Sequence, residues 1–149
     1  MRGRRVLDFG TGGGIAVLAA TKAGASTVTA NDVDPWALGV TRLAATSQGL
    51  CVATLLADLT REPDAVADQD VLLCADLGYE RATAPAQRAL LEHACEAGKT
   101  VIVADAGRTY FDADGLDLLA TYEVDVPNDL EGVAMRTARV YEKIAKSGE

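Results

Sequence analysis

Histidine is almost absent from this chain: His93 stands alone in 149 residues. A multi-histidine metal centre is thereby excluded, and no metal is expected. His93 falls in a polar helical stretch and reads as a solvent-side residue. Cysteine is sparse too. Cys51, Cys74 and Cys95 lie far apart and form no C-x-x-C pair, which leaves them as small core residues in a reducing, cytoplasmic setting. No apolar run approaches the roughly 20 residues of a membrane span. The basic start "MRGRR" is not followed by a signal-peptide apolar region. Basic residues are the minority, 14 Lys and Arg against 22 Asp and Glu, for a net charge of −8. That balance argues against nucleic acid, which needs a basic face, and is compatible with a cationic ligand or a basic protein patch. Repeats, low-complexity tracts and linkers are missing as well. What remains, 49 % apolar and 24 % charged, fits one domain over residues 1–149.

The apolar runs alternate with helical stretches. "RRVLDF" has strand length, and "GIAVLAATKAG" sets Ile15, Leu18, Ala19 and Lys22 at helical spacing, with Gly24 able to end the helix. "STVTAN" reads as a second strand. Asp34-Pro35 opens a helix that carries Trp36, Val40, Leu43 and Ala44. Trp36 reads as core of that helix, with cover over a ligand's ring as the alternative. "VATLLA", "DVLLCA" and "TVIVAD" are further strands, the middle one apolar enough to be buried on both faces. Thr83 and Pro85 open a helix that Gly98 closes. "TREPDAVADQD" reads as a turn or short helix. The rhythm then changes: "LLATYEVDV" and "AMRTARVYEKI" are strands separated only by the polar "PNDLEG", a hairpin. Five strand–helix alternations followed by a hairpin predict a mostly parallel sheet covered on both faces.

The glycines of "VLDFGTGGG" follow the first strand, where open α/β sheets bind ligands. Glycine lets the backbone approach a ligand closely, and the following helix offers free N–H groups. A tight turn without a ligand is the plain alternative. The dinucleotide fingerprint G-x-G-x-x-G fails here, since the residue five beyond Gly10 is Ile15. The pattern is instead Asp8-x-Gly10-x-Gly12-x-Gly14. An acid in that place repels a pyrophosphate and suits an amino group. Asp32 ends the second strand, placed to accept from both ribose hydroxyls. Asp58 ends the third, at the height of an adenine amine, and Asp76 follows the fourth. The ligand that wants these groups is S-adenosylmethionine, which carries an amino acid, an adenosine and a sulfonium but no phosphate.

The stretch "VLDFGTGGG…VTANDVDPWAL" resembles the class I, seven-strand S-adenosylmethionine-dependent methyltransferases. The resemblance implies an α/β fold, a Rossmann-like doubly wound sheet of order 3-2-1-4-5-7-6 with an antiparallel C-terminal hairpin. It implies a cofactor site at Asp8, Gly10, Thr11, Gly12, Gly14, Asp32, Val33, Asp58 and Asp76. Asp76 and Tyr79, in "CADLGYE", form the D-x-x-Y motif of protein lysine methyltransferases. With "RGRRVLDFGTG", "ANDVDP" and "ADAGR", they are most similar to the lysine methyltransferases of the electron-transfer-flavoprotein β subunit. That implies a lysine side chain as acceptor and that subunit as a candidate partner. Asp76 would orient the amine, and the Tyr79 ring or hydroxyl would hold it on the other side. A turn acid and a packing aromatic are the plain alternatives for the pair. Asp105, Gly107 and Arg108 are expected either to shape the acceptor site or to form a structural ion pair.

Two departures bear on substrate. Relatives carry a bulky residue before the motif's tyrosine, and Gly78 in its place is expected to loosen the acceptor pocket. Relatives also carry a segment before the first strand, whereas five residues precede Val6 here. The chain is expected to be a shortened form or a minimal version. These departures keep two alternatives open: a small-molecule methyltransferase, and a cofactor-binding domain with little or no turnover.

Overall fold

The computed structural model describes residues 1–126 and 134–143. Strands β1 (Arg5–Phe9), β2 (Thr27–Asp32) and β3 (Ala53–Leu56) are joined through helices α1 (Ile15–Lys22) and α2 (Pro35–Ser47). A single 3-10 turn, Pro63–Val66, leads into β4 (Val71–Ala75); helix α3 (Ala84–Glu96) then leads to β5 (Thr100–Asp105). Strands β6 (Asp117–Asp125) and β7 (Met135–Lys143) complete a sheet of order β3-β2-β1-β4-β5-β7-β6. β1 to β5 are parallel, and β7 runs antiparallel to both β5 and β6. The expected sheet order and the hairpin are therefore present. The loop "PNDLEG" lies outside the described residues.

The alternation is less regular than the sequence suggested. Among the described residues three α-helices join the strands, and the β5–β6 connection, residues 106–116, carries none. α3 opens as expected with Thr83 at its N-cap position and Pro85 in its first turn, but the Thr83 hydroxyl makes no cap hydrogen bond and donates to Glu80 O at 3.3 Å. Asp34 does cap α2, accepting from Trp36 N at 2.9 Å with Pro35 at the first helical position.

Two apolar cores sandwich the sheet. Val17 and Ala20 of α1 and Leu38 of α2 pack with Val6, Val28, Ala30 and Leu73 on one face. Leu90, Leu91 and Cys95 of α3 pack with Leu7, Leu72, Val101 and Val103 on the other. The faces of α1 and α2 differ from those the apolar spacing suggested. Ile15 and Trp36 are each 82 % exposed, and Val40 and Leu43 also point outward. The buried stripe of α2 is Leu38, Thr41 and Ala45, whose small members let the helix sit close against the loop after β1. Cys74 and Cys95 are buried as expected, whereas Cys51 is exposed. His93 is half exposed, 3.4 Å from Asp64.

The basic start of the chain has a structural use. Arg5 donates through its backbone N–H and its guanidinium to Asp70, at 2.8 and 2.9 Å, which pins β1 to the start of β4. Hydrogen bonds from Arg5 hold the Asp70 carboxyl down at about 2. The strand order reverses between β1 and β4, so the crevice beyond their C-terminal ends is the place where such a sheet takes a ligand.

Candidate active site

The loop after β1 is fastened from three sides. Thr11 N donates to Asn31 O at 2.8 Å, Gly12 N to Asp32 Oδ2 at 3.0 Å, and Thr41 Oγ1 to Gly12 O at 3.1 Å. Gly14 ends the loop with φ of +80°, and a Cβ there would fall 2.6 Å from Thr41 Oγ1. Only glycine fits that contact. Thr41 holds the loop from α2, a role that the apolar pattern of that helix concealed. Its one signal is a hydroxyl among apolar neighbours, fully buried and thus in need of a partner.

Asp8 is buried beneath this loop and accepts from Thr11 Oγ1 at 2.7 Å. Burial pushes its carboxyl up to about 6, partly opposed by the Thr11 hydrogen bond and reinforced by the charge of Asp32. Asp32 uses one oxygen on Gly12 N and the other on Asp34 N, each at 3.0 Å. Each carboxylate oxygen keeps a second lone pair for another donor. Val33 is exposed beside it. Asp58 lies two residues past β3 and is engaged differently. Its Oδ1 accepts from Thr60 N and Oγ1, at 3.1 and 2.6 Å, and its Oδ2 from Arg61 Nε at 3.3 Å.

A second cluster stands past β4 and β5. Asp76 has a left-handed φ of +58°, and its N–H donates to Ala104 O at 2.8 Å. Tyr79 Oη donates to Asp76 Oδ2 at 2.8 Å. Arg108 reaches the same carboxylate with two nitrogens, Nε to Oδ1 and Nη2 to Oδ2. Its Cζ lies 4.4 Å from the centre of the Tyr79 ring. Hydrogen bonds from Arg108, partly opposed by burial and helped by the Tyr79 hydrogen bond, hold the Asp76 carboxyl below its usual range. Burial and the Asp76 hydrogen bond push the Tyr79 phenol up. Asp105, buried at the end of β5, accepts from Gly107 N at 2.5 Å and Arg108 N at 3.2 Å, which fixes the loop carrying Arg108. The ion pair left open by the sequence is thus made with Asp76 itself. A trough of about 240 Å³ opens beside the cluster, lined by Asp76, Asp105, Arg108, Val124 and Ala138.

Gly78 is not a loosened wall. Its φ is +86°, and a Cβ there would fall 2.8 Å from Phe111 N. Tyr110 N donates to Gly78 O at 3.2 Å, so two backbones meet where a side chain would stand. Beneath this contact lies a second cavity of about 270 Å³, lined by Leu77, Leu91, Phe111 and Leu116.

A seven-strand sheet of this order, with a glycine loop after β1 and acids ending β1 and β2, is the frame of the class I S-adenosylmethionine-dependent methyltransferases. The chain belongs to the ribosomal protein L11 methyltransferase (PrmA) family, whose profile matches residues 1–77. It is similar to the electron transfer flavoprotein beta subunit lysine methyltransferase of Danio rerio, 34 % identical over 113 residues, which make up 74 % of this chain and 43 % of that protein. The Rattus norvegicus protein of the same description is 29 % identical over 150 residues, covering 95 % of this chain and 57 % of that one. The chain therefore spans about half the length of the curated relatives it matches. Magnesium protoporphyrin IX methyltransferase of Synechocystis, solved with bound S-adenosylmethionine, shares the fold. The TM-score is 0.63 at 18 % identity, over 95 % of this chain and 71 % of that one.

The cofactor of this family is S-adenosylmethionine, and the residues present fit it. The backbone at Gly12 and Gly13 is open, since a Cβ on either would meet nothing within 4 Å. Asp8 and Asp32 are carboxylates of the kind that would accept from an amino group and from ribose hydroxyls, and the loop holds no basic side chain for a phosphate.

Proposed function

We propose that this chain is the methyltransferase domain of a protein lysine N-methyltransferase, with the electron-transfer-flavoprotein β subunit as candidate substrate. The observation that carries this reading is the 2.8 Å hydrogen bond joining Tyr79 to Asp76 at the end of β4. It sets a carboxylate and an aromatic ring side by side, next to the strand whose loop faces the crevice. The similarity to the two flavoprotein-subunit methyltransferases supports the choice of lysine. The net charge of −8 favours a basic protein patch over nucleic acid. The free thiols of Cys51, Cys74 and Cys95 suit a reducing, cytoplasmic setting.

In this reading Asp8 and the loop of Gly10, Thr11, Gly12 and Gly14 hold the amino-acid end of the cofactor, which approaches over the open backbone of Gly12 and Gly13. Asp32 holds the ribose, Val33 and Asp58 border the adenine, and Asp76 closes the methyl end. Bound there, S-adenosylmethionine supplies a methyl carbon already activated by its sulfonium. The chain's own contribution is alignment. Asp76 accepts from the incoming amine and Tyr79 confines it. Because its carboxyl sits low, Asp76 stays charged and orients the ammonium, and the amine's proton leaves to solvent.

One observation favours a second reading, cofactor binding with little turnover: the Asp76 carboxylate is already engaged by Arg108 and Tyr79. Mass spectrometry of recombinant β subunit, after incubation with the chain and S-adenosylmethionine, separates the two. Lysine methylation that falls at least tenfold in Asp76→Asn is the expected result. Absence of lysine methylation across a panel of lysine-rich proteins supports the second reading and contradicts the first.

A further inference from the structure

We infer that Arg108 sits in the place of the acceptor's own cationic group, and that an acceptor reaches Asp76 only by displacing it, which selects for cations. The inference rests on the reading of Asp76 and Tyr79 as the acceptor-side pair.

The geometry is that of an occupied cation seat. One wall is a carboxylate, Asp76, held by the Tyr79 hydroxyl at 2.8 Å. The other is the face of the Tyr79 ring. Arg108 fills the space between, two nitrogens on the carboxylate and Cζ 4.4 Å from the ring centre. A charge-assisted contact and an aromatic face are the two features that hold an alkylammonium.

The seat can empty without moving the loop. The Asp105 carboxylate accepts from the backbone N–H groups of Gly107 and Arg108, a hold on the loop separate from the Arg108–Asp76 ion pair. The Arg108 side chain is about one-third exposed and borders the 240 Å³ trough, which gives the guanidinium room to swing out.

Displacement discriminates by charge. An alkylammonium replaces the guanidinium with a cation that donates to the same oxygens. A neutral hydroxyl or aromatic nitrogen would break the two-nitrogen ion pair and put no charge in its place, leaving only the field of Arg136 opposite Asp76, an expensive exchange for a half-buried group. Arg108 is therefore a specificity-determining residue: it competes weakly against lysine and strongly against neutral acceptors.

Titration with n-butylammonium chloride, followed through the ring resonances of Tyr79 by NMR, tests this directly, with n-butanol as the neutral probe. Arg108→Ala should bind n-butylammonium about tenfold tighter than the parent chain, because a charge-assisted competitor is gone. Arg108→Gln, which keeps part of the stem, should show a smaller gain in the same direction. Asp76→Asn should abolish the binding, and n-butanol should leave the parent chain unmoved and shift the Tyr79 resonances only in Arg108→Ala. Affinity that is unchanged or weaker in both Arg108 variants overturns the inference. The two readings fail separately. Loss of lysine methylation in Asp76→Asn, with no gain of affinity on replacing Arg108, removes the competitor role alone. A gain of affinity with undiminished methylation in Asp76→Asn keeps the cation seat and removes the acceptor reading.

Discussion

Gly14 and Thr41 are in contact across the cofactor loop: a Cβ at Gly14 would fall 2.6 Å from Thr41 Oγ1, the hydroxyl that donates to Gly12 O. Gly14→Ala combines a left-handed backbone with this clash. It should destabilise the fold on the order of 2–4 kcal/mol in urea denaturation. Thr41→Ala removes the nearest obstructing atoms, so the double variant should lose less than the sum of the two single losses. Additive losses would show that the contact does not constrain the loop.

Asp8 links stability to pH. Its carboxyl stands at about 6 in the folded chain, against an ordinary value near 4 when unfolded. A group raised on folding contributes stability that is fully present below its unfolded value and lost as pH rises through its folded value. The ligand-free chain should therefore lose on the order of 2–3 kcal/mol from this group between pH 4 and pH 7. Asp8→Asn should remove that slope in denaturation measured across this window. Asp70 acts in a lower window with the opposite sign: held at about 2, it contributes stability above pH ~4 that is lost as pH falls through its folded value. A parent chain equally stable at pH 5 and pH 7, with no change in Asp8→Asn, would contradict the burial of Asp8.

Gly78→Leu puts a bulky side chain before the tyrosine. Its φ of +86° and its approach to Phe111 N predict a loss of stability and not a reshaped pocket. Thermal unfolding should show a fall in Tm of several degrees, about what 2 kcal/mol produces in a domain of this size. A variant as stable as the parent, with altered substrate preference, would return Gly78 to the role of a pocket wall.

The sheet was largely legible because alternating apolar runs, glycine ends and the Asp34-Pro35 cap are local signals. The acids ending β1 and β2 were legible for the same reason, since each sits at a strand end next to a turn. What the sequence did not reveal depends on approach between distant backbones and side chains. Arg108 and Asp76 are 32 residues apart and meet only because β4 and β5 are neighbours in register. The apolar spacing of α2 pointed to Trp36, Val40 and Leu43, yet the buried stripe is Leu38, Thr41 and Ala45, and it is the small Thr41 that meets the glycine loop. Gly78 looked like missing bulk because composition cannot show that the Tyr110–Phe111 backbone fills the space. Asp58 was expected to end the third strand, but β3 stops at Leu56 and Asp58 stands in the loop that follows, where it engages Thr60 and Arg61.

Calorimetric titration with S-adenosylhomocysteine is the most direct test of the division between a cofactor side and an acceptor side. The parent chain should bind it and should not bind NADH. Asp32→Ala should weaken the affinity by about tenfold or more, because two charge-assisted bonds to the ribose are lost. Asp58→Ala should have a smaller effect, since that carboxylate is already engaged by Thr60 and Arg61. Asp76→Asn should change the affinity little, because its partners Arg108 and Tyr79 belong to the acceptor side. Binding of NADH with no response to S-adenosylhomocysteine, or loss of S-adenosylhomocysteine binding in Asp76→Asn with Asp32→Ala unaffected, would contradict the account.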